Sequence, residues 1–333
     1  MCRTRPIVVA MPLFLLLTTP LLVSNDGAAQ AQKAGPGSTT QFAFLELDGA
    51  FMGLLPSAQG GDAFADVITE RMGTDNIQHK HISGVKYSDI TVTSDLPLAG
   101  GLANWLSDSL ATKFQRKSGA IVIADHNFIE RSRLNFSSAL ISQLTIPALD
   151  AASKDAAKLT IKFAPETTKF VQGSGKSAGG VVPKTHHFIA SNFRLEIDGL
   201  DCRKVTKIDS FSATLVTQQV TIGDSGGTQL QPVSWNFSNL HITLPEAAAK
   251  SFIDWHEDFV IKGNNGDDKE RGGSLTFLAS DLKTVLARIN FSHIGIYNLT
   301  RPTVVSGTTA GIRRITVDLY FENMQWVLPS QGT

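Results

Sequence analysis

The sequence predicts a mainly β fold (α+β) in which two tandem domains, each made mostly of strands, carry one packed α-helix each. Three observations lead to this prediction. Short runs rich in Val, Ile, Thr and Phe alternate polar and apolar residues, which is typical of half-buried strands. Six short segments recur in the same order in the second half of the chain. Each half also contains a single segment with the 3.6-residue period of an amphipathic helix.

The internal repeat is the strongest of these signals. The segment "LELDG" begins at residue 45 and "LEIDG" at residue 195, a separation of 150 residues. The same separation relates "YSDITVT" to "FSNLHIT" and "NWLSD" to "DWHED", which aligns Trp105 with Trp255. It grows to 155 for "LNFS" with "INFS" and "LTIP" with "LTRP", and to 156 for "KLTIKF" with "RITVDL". So small a drift over six ordered matches predicts a duplicated domain.

The domain limits follow from the repeat. We predict a first copy over residues 32–169, a Gly/Ser linker over 170–184 and a second copy over 185–329. The linker contains "GSGKS", which resembles the end of a phosphate-binding loop. Position 170 is Phe, however, where that loop needs its first glycine, and Pro183 prevents a helix from following. A flexible linker is therefore the better interpretation.

Residues 1–31 form a leader that resembles a secretory signal peptide. Arg3 and Arg5 precede the apolar run Ile7–Leu17, and "AQA" offers small residues before Gln32. The alternative interpretation is a start codon assigned upstream of the true one. Beyond the leader, the sequence contains no run of 18 consecutive apolar residues, so no other membrane span is expected.

The elements of the first copy follow in order. Leu45–Asp48 is a first strand, and the polar, glycine-containing stretch from 56 to 84 should form a long hairpin or loop. "VKYSDITVT" alternates as a second strand, and "AIVIAD" follows the helix. Leu134–Ile146 keeps period two over its whole length, which predicts an unusually long strand. Lys158–Glu166 is the last strand, ended by Pro165.

The helices are predicted from apolar spacing. In the first copy the apolar face comprises Leu98, Leu102, Trp105, Leu106 and Leu110. In the second copy Pro245 and Glu246 should open the helix, and its face comprises Phe252, Trp255, Phe259 and Val260. We interpret both tryptophans as core anchors.

Charge and cysteine content exclude several classes of protein. The chain has 30 basic and 30 acidic residues, which argues against a nucleic-acid binder that relies on bulk charge. Its cysteines are Cys2, which lies in the leader, and Cys202. A processed chain would therefore have no internal disulfide and no cysteine metal cluster. Cys202 is expected to be a partly buried, unreactive thiol.

No group of residues predicts a catalytic, cofactor or metal site. His79 and His81 share a strand face, but no carboxylate or cysteine pattern completes a metal site. The other candidates are weaker and are interpreted as solvated or structural: His186 and His187, His126 with Glu130, the protease-like "GDSGG" at 223–227, and the repeated acids Glu46, Asp48, Glu196 and Asp198. We therefore predict that the protein is not an enzyme.

The first copy resembles the T4-like tail tube proteins of bacteriophages, a family with relatives in contractile injection particles. The resemblance covers residues 42–169, nearly all of this copy. The second copy keeps the strands and the helix tryptophan, but has "QPVSWNFSNLHIT" where the first has "KHISGVKYSDITVT". The segments that carry the resemblance are "FLELDG" (44–49), "KHISGVKYSDITVT" (80–93), "RKSGAIVIAD" (116–125) and "LTIPALDAASKDAAKLTIKFAPE" (144–166).

The resemblance implies a β-barrel or sandwich with a flanking helix, six of which close into a ring that stacks into a tube. It implies no catalytic residue, cofactor or metal. The expected partners are further copies of the chain and other tail tube, sheath or baseplate proteins, without specific nucleic acid or a small-molecule substrate. Two such domains on one chain suggest either a hexameric ring or a trimer with pseudo-six-fold symmetry.

Two locations stay open. A tail or tail-like particle would be assembled in the cytoplasm, as a tube subunit or an adaptor at the end of the tube. If the leader is a real signal peptide, the alternative is an exported two-domain β protein that binds a partner at the cell envelope.

Overall fold

A computed structural model of the chain describes residues 41–71, 78–178, 188–222, 227–302 and 312–328. These residues are mostly β-strands, which confirms the predicted fold class. The predicted leader, residues 1–31, lies outside them. Within the described residues, neither α-helix has the length and apolar character that a membrane crossing requires.

The strands of the first half are β1 (Phe42–Leu47), β2 (Ala50–Leu55), β3 (Ser57–Gly60), β4 (Ala63–Phe64), β5 (Val67–Arg71), β6 (Gln78–Ile82), β7 (Lys86–Tyr87), β8 (Ile90–Ser94), β9 (Lys117–Ala124), β10 (Glu130–Ile146), β11 (Leu149–Asp150), β12 (Leu159–Ala164) and β13 (Thr167–Gln172). Those of the second half are β14 (Phe193–Ile197), β15 (Lys207–Ile208), β16 (Phe211–Ile222), β17 (Gly227–Phe237), β18 (Leu240–Pro245), β19 (Arg271–Leu278), β20 (Val285–Thr300), β21 (Arg314–Tyr320) and β22 (Asn323–Val327). Helix α1 spans Gly100–Leu110 and α2 spans Lys250–His256, with short 3₁₀ turns at Glu246–Ala248 and Asp267–Lys269.

The strands of the two halves pair in the same order. In the first half β1, β9, β10, β12 and β8 are successive neighbours, and in the second half β14, β19, β20, β21 and β18 are. Strand β13 pairs with β10 as β22 pairs with β20. The register also matches, since Leu134 lies opposite Phe170 and Ile289 lies opposite Trp326. The duplication itself and the domain limits remain predictions.

The long strand predicted over Leu134–Ile146 is confirmed as β10, which begins earlier, at Glu130. It turns from one set of partners to another along its length. Its first part pairs with β9 and β13, and its last part with β12 and β16. One long strand can therefore belong to two surfaces of the barrel, which explains why it exceeds the five or six residues usual for a strand.

A continuous hydrophobic core runs through both halves. Helix α1 buries the apolar face predicted for it, and Trp105 is only 1% exposed. The Trp105 ring stacks on Phe163 of β12 with centroids 5.2 Å apart. Its Nε1 donates to the Gln115 carbonyl oxygen at 2.8 Å, so the one polar atom of the ring is satisfied inside the core.

The second helix differs from its prediction. Pro245 ends β18 and Glu246 begins a 3₁₀ turn, and the α-helix starts only at Lys250. From Glu257 to Ile261 the helix widens to π-helical geometry. That geometry places more residues in each turn, so the 3.6-residue spacing no longer holds. Val260, predicted on the buried face, is therefore exposed, whereas Phe259 stays buried.

The end of the first copy also differs from its prediction. Strand β12 ends at Ala164, before Pro165, but a further strand, β13, follows and pairs with β10. The interpretation of residues 170–184 as flexible linker does not fit its first part. Gln172 is still in β13, and Ser177 forms an isolated bridge with Ile129. Residues 179–187 lie outside the described residues.

Candidate interaction surfaces

The second half is joined to the first by main-chain pairing. Residues 211–214 of β16 lie antiparallel to residues 143–146 of β10, with Phe211 opposite Ile146 and Thr214 opposite Gln143. The Ser210 hydroxyl donates to the Ile146 carbonyl oxygen at 2.8 Å. Nearby, β11 of the first half pairs with β15 of the second. Strands β16 and β17 form a hairpin, here called the second hairpin, which thus extends the sheet of the first half.

Polar side chains fix this hairpin at its outer part. The Arg116 guanidinium lies 2.8 Å from a Glu166 carboxylate oxygen and donates to the carbonyl oxygens of Ser138 and Leu230. The Gln229 side-chain amide donates to the same Glu166 carboxylate. Arg116 and Glu166 belong to the first half, and Leu230 and Gln229 to strand β17. One arginine therefore connects the two halves.

Two tryptophans of the second half cover helix α1. The Trp235 Nε1 donates to the Ser109 carbonyl oxygen at 2.7 Å. On β22, the Trp326 carbonyl oxygen accepts a hydrogen bond of 2.9 Å from the Ser107 hydroxyl, and its side chain is 3% exposed. These contacts bury a face of α1 that would otherwise be open to solvent.

The first half has a hairpin of its own that is largely exposed. Strand β4 pairs with β7 and β5 with β6, and we call their described residues, 61–71 and 78–87, the first hairpin. Its exposed apolar side chains are Phe64, Val67, Ile68, Ile82 and Val85. Phe170 on β13 is also exposed. Clustered exposed apolar residues typically indicate an interaction site.

Three of the acidic residues repeated in both halves, Glu46, Asp48 and Glu196, form ion pairs. Asp48 lies 2.7 Å from Lys117, whose hydrogen bond lowers the pKa of that carboxyl. Glu46 and the buried Glu130 share Arg133, at 2.6 and 2.8 Å. The hydrogen bond from Arg133 lowers the pKa of Glu130. A carboxylate paired with a basic side chain suits a structural role better than acid–base catalysis.

The histidines are spread over the surface. His81 on β6 lies 3.4 Å from Glu70 on the neighbouring strand, and His79 is exposed on the same strand. His126 is exposed in a turn and Glu130 begins β10, so the two do not form a helical pair. His186, His187 and the first four residues of "GDSGG" lie outside the described residues.

One cluster was missed from the sequence because its members are far apart in the chain. Glu270 accepts hydrogen bonds from the Tyr320 hydroxyl at 2.6 Å and from the His293 Nδ1 at 2.9 Å. Burial raises the pKa of Tyr320. The ligand atoms of Glu270, His293 and Glu322 lie within 4.8 Å of one another. Because Glu270 already accepts bonds at both oxygens, the cluster is satisfied without a metal ion.

The segment that resembles a phosphate-binding loop is held against the sheet. The Lys176 carbonyl oxygen accepts the Glu130 N–H at 2.9 Å, and the Ser174 hydroxyl donates to the Glu130 carboxylate at 2.8 Å. No helix begins within the described residues of this segment, which end at 178. Its described residues therefore provide no helix N-terminus at which a phosphate could be bound.

Cys202 should be unreactive in the folded chain. Its side chain is buried, and burial raises the pKa of the thiol from an ordinary 9.0 to about 11. Two pH units reduce the thiolate fraction by about a hundredfold, so a maleimide should label Cys202 at least that much more slowly in the native chain than in urea. Mass spectrometry of the peptide that contains Cys202 measures this. Equal labelling rates in both conditions would contradict the burial.

Comparison with known protein families gives a match that lies in the first half of the chain. Residues 38–169 match the model of the family described as T4-like virus tail tube protein gp19. The resemblance to tail tube proteins that the sequence indicates is thus confirmed for this part of the chain. No curated protein sequence matches the chain.

Several solved structures are also similar. A chain of the anti-feeding prophage cap, which terminates the tube, is 22% identical over 39% of this chain and 88% of its own, with a TM-score of 0.34. A chain of the sheath–tube complex of an extracellular contractile injection system in the extended state is 20% identical over 43% and 94%, with a TM-score of 0.34. A chain of the anti-feeding prophage baseplate is 14% identical over 41% and 93%, with a TM-score of 0.33.

Proposed function

We propose that this chain is a structural protein of a phage tail or tail-like contractile injection particle. In such a particle it would build a ring, as a tube subunit or as an adaptor at the end of the tube. The observation that carries the proposal is the match of residues 38–169 to the tail tube family. Its partners would be further copies of itself and tube, sheath or baseplate proteins.

The strand order of the two halves supports a ring built from few chains. Both halves have the same pairing, and the second is joined to the first by a strand added at a sheet edge. Tail tube rings have six domains, so three chains with two halves each would complete one ring. The balanced charge of 30 basic and 30 acidic residues gives no support to a role in binding nucleic acid.

Solution mass and negative-stain electron microscopy of the purified full chain test this proposal. We expect rings with apparent six-fold symmetry, or short tubes, and a mass three times the 35.8 kDa of one copy. A chain that stays monomeric at the highest attainable concentration would contradict ring formation. If it is also found outside the cell and begins at Gln32, the exported binding protein becomes the better account.

A further inference from the structure

We propose that the chain binds a second copy of itself head to tail, through two named surfaces. The donor surface is the first hairpin with Phe170 of β13. The acceptor surface comprises the π-helical turn Glu257–Ile261 that follows α2, residues 298–300 of β20 with the adjoining Arg301, and the exposed Glu322. This inference rests on the proposed function and specifies its interface, because the joint inside the chain serves as the template for the joint between chains.

The two hairpins are equivalent residue by residue. Adding 150 to each paired residue of the first hairpin gives a paired residue of the second. Ala63 opposite Tyr87 becomes Ala213 opposite Phe237. The register also shifts by one residue at the same place in both hairpins. In the first hairpin the shift lies between residues 64 and 67, and in the second it lies between 216 and 217, where 217 is the counterpart of 67.

Hydrogen bonds at the base of each hairpin repeat as well. The Asp62 N–H donates to the Ser88 hydroxyl at 3.0 Å, and the Ser212 N–H donates to the Ser238 hydroxyl at 2.7 Å. Residues 61–64 of the first hairpin are thus the counterparts of residues 211–214, which pair with β10 inside the chain.

The donor surface exposes apolar side chains at positions where the second half has packed tryptophans. Phe170 is the equivalent of Trp326, because both lie opposite the same position of the long strand. Phe170 is 68% exposed, whereas Trp326 is 3% exposed and its ring stacks on Phe277 of β19. Val85 is the equivalent of Trp235 in the hairpin and is 64% exposed. The first half therefore exposes two apolar positions whose counterparts pack in the second half, Trp326 on Phe277 and Trp235 on α1.

The acceptor surface corresponds to the part of the first half that the second hairpin covers. Leu144 of β10 and Leu299 of β20 are equivalent, since each lies opposite a matching residue of β12 or β21. Leu144 is fully buried, because β16 pairs beside it, whereas Leu299 is only half-buried. Within the described residues, no strand pairs with β20 on this edge at residues 298–301. In the π-helical turn that follows α2, Val260 and Ile261 are likewise exposed.

The charges of the two surfaces are complementary. Glu270 precedes β19 as Arg116 precedes β9, so an acid occupies the position of the arginine that holds the second hairpin. Opposite it, strand β6 carries His79, Lys80 and His81 where β17 carries uncharged residues. Glu322 is the counterpart of Glu166, which accepts the Gln229 amide, so it should face His79 of the next copy. Lys80 of β6 and the exposed Glu322 have opposite charges, which favours association between chains.

The contact is directional, since each copy offers one donor surface and one acceptor surface. Such a heterologous contact generates a closed ring or an open filament, depending on the rotation between copies. Pairing with a strand of the next copy would also give hydrogen-bond partners to the main-chain N–H and C=O groups at the exposed edge of β20.

Disulfide mapping tests the register of this contact. The template pair Thr214–Gln143 predicts that Phe64 of one copy lies opposite Asn298 of the next. Directly opposite antiparallel residues have Cα atoms about 4.5–5.5 Å apart, within the range of a disulfide. A chain with Phe64→Cys and Asn298→Cys should therefore give covalent dimers and trimers on oxidation. The pair Ala63→Cys with Asn298→Cys, shifted by one residue onto the opposite face, should not.

A positive control accompanies this experiment. Thr214→Cys with Gln143→Cys should form the equivalent disulfide within one chain. Mass and negative-stain images of the same samples separate the two proposals. Rings without the Phe64–Asn298 cross-link would overturn the interface and leave the proposed function standing. Cross-linked chains without closed rings would support the interface and contradict the ring. A monomer that does not cross-link would overturn the interface.

Exchanging the charges of two residues tests whether their side chains meet in the proposed contact. His79→Glu should place a carboxylate against Glu322 and weaken association about tenfold or more, and adding Glu322→Lys should restore it. His126→Glu makes the same substitution in an exposed turn outside both surfaces and should leave association unchanged. Failure of Glu322→Lys to restore association in the His79→Glu chain would remove this pair from the proposed contact.

Discussion

Replacing Trp105 with alanine should destabilise the folded chain by about 3–5 kcal/mol, the range for deleting a large buried aromatic side chain. Trp105 is 1% exposed and stacks on Phe163, so its removal leaves a cavity between α1 and the sheet. It also leaves the Gln115 carbonyl oxygen without its donor. Denaturant unfolding followed by circular dichroism, with unchanged m-value, measures the free energy of unfolding.

Trp105→Phe is the matched control. It keeps most of the ring contact with Phe163 but loses the hydrogen bond and part of the volume, so it should cost clearly less than alanine. A loss below about 1 kcal/mol for Trp105→Ala would show that the site is not the close-packed contact described here.

Replacing Arg133 with methionine should cost about 3 kcal/mol at neutral pH, the lower end of the range for removing one partner of a buried ion pair. The side chain of Glu130 is only 7% exposed, and Arg133 lies 2.8 Å from it and 2.6 Å from Glu46. Without the guanidinium, a buried carboxylate loses its counter-charge. Lys250→Met is the control, because it removes an exposed pair with Asp254 and should cost less than about 1 kcal/mol.

The cost of Arg133→Met should also depend on pH. Arg133 lowers the pKa of Glu130 below its ordinary value of 4.5, so the pair stabilises the fold above that pH. As the pH falls below 4.5 and through the lowered pKa, Glu130 becomes protonated and this stabilisation is lost. The difference in unfolding free energy between the parent chain and the variant should therefore shrink on acidification. A difference that stays constant from pH 7 to pH 3 would contradict the ion pair.

The strands and the first helix could be predicted because their signals are local. The alternation from Leu134 to Ile146 and the apolar face around Trp105 depend on burial of one face, and the structure forms both. The π-helical turn that exposes Val260 could not be predicted in this way. In this turn Phe259 is buried and packs edge-on against Trp255, and no period in the sequence encodes that arrangement.

The candidate interface was beyond the sequence for a different reason. Edge pairing between β10 and β16 joins residues far apart in the chain, and no local pattern marks which edge is covered. The exchange of Arg116 for Glu270 becomes visible only when the registers of β9 and β19 are aligned. The repeat itself was the useful sequence signal, since it identifies the positions to compare once the pairing is known.

A cryo-electron microscopy reconstruction of the assembled chain tests the central claim most directly, because it shows every joint around the ring. We expect three chains and six sheets, with joints that alternate between residues 143–146 paired to 211–214 within a chain and residues 298–301 paired to 61–64 of the next. A ring in which the edge of β20 at 298–301 is uncovered, or in which the first hairpin points into solvent, would contradict the account.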